Sequence, residues 1–143
     1  QYATPHQIYN TPATLFVAGF TGSPPMNLVP ATLDNGGLVL GGKDLPDAPK
    51  SLIDRAPTAL SLIFGIRPEN IFLHPGDGLV PMDAHVVLSE PLGAETLVTF
   101  SVGDVELIAR CPANFSERNG AQLQIYLARD QMHLFDRATG VAL

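Results

Sequence analysis

The 143-residue sequence has one cysteine, Cys111, so no disulfide can close within it. Its stability must come from burial, and the lone thiol fits a reducing compartment. Cys111 ends the alternating run Val105–Cys111 and has no His or Lys beside it, so it reads as a small buried hydrophobe rather than a reactive nucleophile. Basic residues are scarce. Eight Lys plus Arg, scattered singly, stand against fourteen Asp plus Glu and leave a net charge of −6. Phosphate neutralisation supplies most nucleic-acid affinity, so this balance argues against a nucleic-acid partner and disfavours an anionic membrane. Aromatic residues at 7% also leave few rings for stacking bases. No apolar run approaches the roughly 20 residues of a membrane-spanning helix, and no signal-peptide pattern opens the chain. The first residue is Gln1 rather than Met, which points to a piece of something longer.

The composition that remains, 45% apolar and 15% charged, is that of a folded domain with room for a partner-binding surface. Thr4-Pro5-His6-Gln7 is a helix start, with a capping Thr, Pro in the first turn and Gln three residues on. Pro12 stops that helix after Tyr9-Asn10. A second short helix carries Leu15, Phe16, Ala18 and Phe20, and Gly22-Ser23-Pro24-Pro25 ends it. From Met26 the pattern is β. Strands are predicted over Met26–Leu33, Leu38–Leu40, Ala59–Ile66, Ile71–Leu73, Met82–Glu90, Ala121–Leu127 and Met132–Phe135, with Gly41–Pro57 mostly loop. The clearest hairpin joins Glu95–Val102 to Val105–Cys111 through Gly103-Asp104. Thr96, Val98, Phe100 and Val102 form one face. Many short strands between Gly/Pro turns predict a mainly β, OB-like small barrel over residues 26–143, preceded by a helical lead-in over residues 1–25.

Catalytic chemistry finds no foothold. Gly37-Leu38-Val39-Leu40-Gly41-Gly42-Lys43-Asp44 approaches the phosphate-loop pattern, but Asp44 replaces the Mg-binding hydroxyl residue and prolines follow where a helix should start. A hairpin or loop is the better reading. His6, His74, His85 and His133 are not spaced as a metal pair. His133 reads as a packed residue and His85 as outward-facing. Ser23 sits on a turn, but Pro24 removes the N–H that an oxyanion hole would use. Asn114-Phe115-Ser116 fits the glycosylation triplet, which is discounted without a secretory signal. Arg67-Pro68-Glu69 sets opposite charges around a fixed φ and reads equally as a local ion pair or as a partner contact.

Four segments carry a family resemblance. Tyr9–Asn27, with its Phe16-Val17-Ala18 and Gly22-Ser23-Pro24-Pro25-Met26-Asn27 runs, resembles the segment after the ATPase domain in sugar and glycerol-phosphate importer ATPases of the ABC type. Phe64-Gly65-Ile66-Arg67-Pro68-Glu69 resembles that family's Gly-Ile-Arg-Pro-Glu signature. Glu90–Thr96 is similar to a third motif, and His133–Asp136 with Thr139-Gly140 to the usual ending. The order is right and the motifs span nearly the whole chain. Two departures stand out. Leu127–Gln131 replaces an Asp-Pro turn, and Gln1–Pro5 lacks the Gly that often precedes Thr-Pro.

The resemblance implies a TOBE, or molybdate-binding-like OB, regulatory and dimerisation domain. Its parent would hydrolyse ATP with Mg in the cytoplasm, at the inner face of the membrane, docked on permease subunits. This chain would hold no catalytic residue, metal or cofactor of its own. Phe20, Gly22, Ser23, Pro24, Met26 and Asn27 would form the joint to the ATPase domain. Gly65, Arg67, Glu69, Glu90 and Gly93 would be interface or regulatory contacts, for a homodimer, a regulatory protein or a small ligand. The alternative of a different class is a free-standing oxyanion-binding domain on a similar barrel, in which the lead-in has no evident role. A nucleic-acid-binding barrel, the third reading, is disfavoured by charge.

Overall fold

The computed structural model describes residues 3–56 and 61–143. The lead-in forms α1 (Pro5–Asn10) and α2 (Leu15–Phe20). The Thr4 hydroxyl accepts from Gln7 N at 3.2 Å, and Gln7 Oε1 accepts from Thr4 N at 3.1 Å. This is the capping box that the sequence spells out, and it matters because six residues are too few to nucleate a helix unaided. Thr14 caps α2 through Val17 N.

Ten strands follow among the described residues: β1 (Asn27–Asp34), β2 (Gly37–Leu40), β3 (Lys43–Leu45), β4 (Leu62–Ile66), β5 (Ile71–Phe72), β6 (Leu79–Pro91), β7 (Glu95–Val102), β8 (Val105–Pro112), β9 (Gln122–Ala128) and β10 (His133–Asp136). They pair antiparallel in two five-stranded sheets, ordered β10-β4-β1-β2-β3 and β5-β9-β6-β7-β8. The edges β5 and β8 of the second sheet come into contact, so this sheet curls towards closure. The inward faces share one core that includes Leu38, Phe64, Phe100, Leu107, Ile125 and Leu134. Each such side chain contributes about 1.5–3 kcal/mol on full burial. The alternation read from β7 holds residue by residue, with Thr96, Val98, Phe100 and Val102 all buried. Cys111 is buried too, and burial pushes its thiol up to about 11.

The Gly37–Asp44 stretch folds as the β2–β3 hairpin. The surrounding Gly41–Pro57 segment is less irregular than expected. It contains β3 and a helix, α3 (Lys50–Arg55). Prolines and polar residues hide this helix, and Pro49 gives it no side-chain cap. The helix exists because Leu52 and Ala56 reach the core. The predicted strand over Ala59–Ile66 is seen from Leu62, and residues 59–60 lie outside the described residues.

Two contacts stitch the sheets together. Asn27 on β1 donates from Nδ2 to the Ile108 carbonyl at 2.8 Å and accepts from Ile108 N at 2.7 Å, so one amide side chain pairs edge strand β8 as a strand would. Gly41 O accepts from Asp104 N at 3.0 Å. A Cβ on Gly103 would lie 2.0 Å from that same Gly41 oxygen, so the two turns can meet only as glycines.

Candidate functional site: a joint held by two arginines

The chain after β4 turns at Arg67 into a short 3-10 turn, Pro68–Asn70. Arg67 is 2% exposed, rare for a guanidinium without a dense set of acceptors. The lead-in supplies that set. Nη2 donates to Tyr9 O at 2.8 Å and to Thr21 Oγ1 at 2.8 Å. Nη1 donates to Thr21 O and, at 3.4 Å, to Ala18 O. The guanidinium carbon stands 4.0 Å from the centroid of the Tyr9 ring, a cation–π contact, and the Tyr9 hydroxyl donates to Glu69. One arginine therefore ties the ends of both short helices to the barrel. Carbonyls that would otherwise be orphaned at the helix ends become its acceptors.

The electrostatics follow the burial. Desolvation lowers the Arg67 pKa, opposed by Tyr9 and Glu69. Tyr9 is raised, first by burial and then by its bond to the Glu69 carboxylate and that group's charge, with Arg67 and Arg110 pulling the other way. His133, on the neighbouring strand β10, is lowered by burial and by Arg67. Arg67 Nε and Glu69 Oε1 are buried without a direct hydrogen-bond partner among the described residues.

Arg110 on β8 holds the next turn of the lead-in. Its Nη2 donates to Ser23 O, and Nη1 pairs with Glu95 at 2.8 Å. The hairpin register makes Glu95 and Arg110 diagonal neighbours, since Glu95 faces Pro112 and Leu97 faces Arg110. The C-terminal tail completes the strap. Leu15 N donates to Gly140 O at 2.8 Å, and Ala142 N to Ala13 O at 2.9 Å.

Not all of the remaining residues singled out from the sequence reach the joint. Gly22 stands at φ +99, and a Cβ there would lie 3.1 Å from Arg67 Nη1 and 3.2 Å from Tyr9. Gly65 is buried at mid-sheet, where a Cβ would lie 2.6 Å from Met26 Sδ and 3.1 Å from Phe135. Met26 and Phe135 pack with Ala18 in a small second core under the helices. The Ser23–Pro24 bond is cis. Arg67 and Glu69 meet through Tyr9. Phe20, by contrast, is 78% exposed, stacked on Phe16. Glu90 and Gly93 lie exposed at the β6–β7 turn and are not brought to the joint; their motif reaches it through Glu95 instead. Thr21, Glu95 and Arg110 were not among the residues singled out. Glu95 and Arg110 could have been found by writing out the hairpin register.

Residues 64–135 match the family model described as the TOBE domain. The chain belongs to the TOBE domain family. Residues 22–71 of this TOBE domain also match the model described as the MalK OB fold domain. Among curated relatives, it is 34% identical to the trehalose/maltose import ATP-binding protein MalK of Thermococcus litoralis, over 100% of this chain and 41% of that protein. It is 35% identical to the sn-glycerol-3-phosphate import ATP-binding protein UgpC of Ruegeria sp., over 98% of this chain and 38% of that protein. It is 38% identical to the sulfoquinovosyl glycerol transport ATP-binding protein SmoE of Agrobacterium fabrum, over 97% and 39%. The TOBE domain thus spans about two fifths of the length of these relatives. A crystal structure of the cytoplasmic molybdate-binding protein ModG superposes with a TM-score of 0.57 at 13% identity, covering 76% of this chain and 94% of that one. That likeness shows the OB-like fold. Within the TOBE domain, all four motif segments, far apart in sequence, converge on the joint between lead-in and barrel.

Proposed function

We propose that this TOBE domain is the regulatory and dimerisation part of the ATP-binding subunit of an ABC importer, for sugars or glycerol-phosphate-like solutes. The observation that carries the reading is the match over nearly the whole chain to import ATP-binding proteins more than twice its length. The joint supports it, because Arg67 and Arg110 fix the lead-in against the barrel, and a rigid connection can pass force or position between domains. ATP and Mg act elsewhere in such a parent. The residues here do not fit a nucleotide: the glycine-rich Gly37–Asp44 stretch is a paired hairpin, and no helix begins at Lys43 to face a phosphate. The parent works in the cytoplasm, peripheral at the inner face of the membrane. Its partners are permease subunits, a second copy of itself, and a regulatory protein or small ligand. Among the described residues no helix is long and apolar enough to cross a membrane.

The test compares the isolated 143-residue chain with the longer gene product that contains it. ATP turnover by the parent, none by the chain, and concentration-dependent dimers of the chain in sedimentation support the reading. ATP hydrolysis by the chain itself, or a gene with no ATP-binding sequence adjoining it, would overturn it.

A further inference from the structure

The curled second sheet does not close completely. A cavity of about 470 Å³ lies at the seam between its edges β5 and β8, a size in the range of small-molecule sites. Ile71, Phe72, Leu73 and Leu79 supply most of an apolar wall, with Pro75 and Pro112. Among the described residues, the titratable groups in the wall are Arg110 and His74, and no carboxylate lines it. Three other cavities among the described residues differ. Each is lined by at least one aspartate, namely Asp44 and Asp83, or Asp104, or Asp47 and Asp54. In a chain of net charge −6, an apolar seam with an arginine and a histidine in its wall favours an anion over a cation, even with Arg110 paired to Glu95 behind it.

We infer that the β5–β8 seam is a binding site for a small amphipathic anion, with an apolar body against Phe72 and Leu79 and a carboxylate-like head on Arg110. Arg110 has a donor to give. Nη1 is occupied by Glu95, but Nη2 carries two hydrogens and gives one to Ser23 O, and the side chain is 33% exposed. A head group accepting the second Nη2 hydrogen leaves the pair with Glu95 unbroken. Because the same guanidinium holds Ser23, an occupied seam adjoins the lead-in joint directly. The inference does not depend on the transport reading, and its test is independent of ATP.

Decanoate serves as the probe, with decanol as its uncharged counterpart, in amide chemical-shift titrations of the 143-residue chain. Saturable shifts confined to Ile71–Leu79 and Arg110–Pro112, with decanol binding more weakly, are expected. Arg110→Met should weaken decanoate by roughly tenfold or more, the loss of one charge-assisted hydrogen bond. Phe72→Glu, at a half-exposed wall position that leaves the fold alone, should abolish binding. Shifts centred on Phe16 and Phe20, equal affinity for decanol and decanoate, no change in the Phe72→Glu chain, or no saturable shifts at all would each overturn the site.

Discussion

Arg67 shows how far one side chain can organise a fold. A buried guanidinium is tolerable only where its donors are met and its charge is answered. Here the acceptors are carbonyls and a hydroxyl from Tyr9, Ala18 and Thr21, and the balancing groups are the Tyr9 ring and, through it, Glu69. Removing the arginine strands these acceptors and leaves Glu69 without its counter-charge. Arg67→Ala is therefore expected to lose about 3–5 kcal/mol, a large part of the roughly 5–15 kcal/mol that a domain has. Arg67→Lys keeps the charge but not the planar fork that spans Tyr9 O and Thr21 O, so it should fall between wild type and Ala. Urea denaturation of the three chains checks the order. Equal midpoints for Lys and Ala would mean that charge contributes nothing.

At the scale of the elements, Asn27 does the work of an absent strand. It presents one donor and one acceptor to Ile108, matching what the β8 edge leaves open. Asn27→Asp replaces the donor with a second acceptor facing the Ile108 carbonyl, so it should destabilise by about 1–3 kcal/mol. Asn27→Ala loses both bonds but adds no repulsion, and it should be the milder change. Thermal melts followed by circular dichroism separate the two. Hairpins with explicit turn chemistry were legible without coordinates. Gly103-Asp104 sets the register of β7 and β8, and that register alone makes Glu95 and Arg110 neighbours. The helix α3 and strand β3 were not legible, because each is a few residues held by packing against segments distant in sequence.

At the scale of the whole molecule, the lead-in is not a detachable tail. Three separate attachments hold it: Arg67, Arg110 and the tail carrying Gly140 and Ala142. It also covers Met26 and Phe135, which are buried with Ala18. Deleting residues 1–22 should leave Arg67 without acceptors and uncover that apolar cluster. The shortened chain is expected to melt well below the full one and to self-associate in size-exclusion chromatography. A monomeric truncated chain with an unchanged melting temperature would show that the barrel needs no lead-in.

The sequence by itself determined whatever rests on neighbours along the chain. Caps, turns and period-two alternation are local, so α1, α2 and the β7–β8 hairpin stand where Thr4, Thr14 and Gly103 put them. Four family motifs could likewise be recognised as strings. Their meaning needed three dimensions. Arg67 and Glu69 read equally as a surface pair or a partner contact, because local pattern carries no information about what lies above a side chain. Only the packing of a lead-in some 46–58 positions away decided that Arg67 is buried. The same holds for the seam between β5 and β8, which exists only because the sheet curls and stops short of closing.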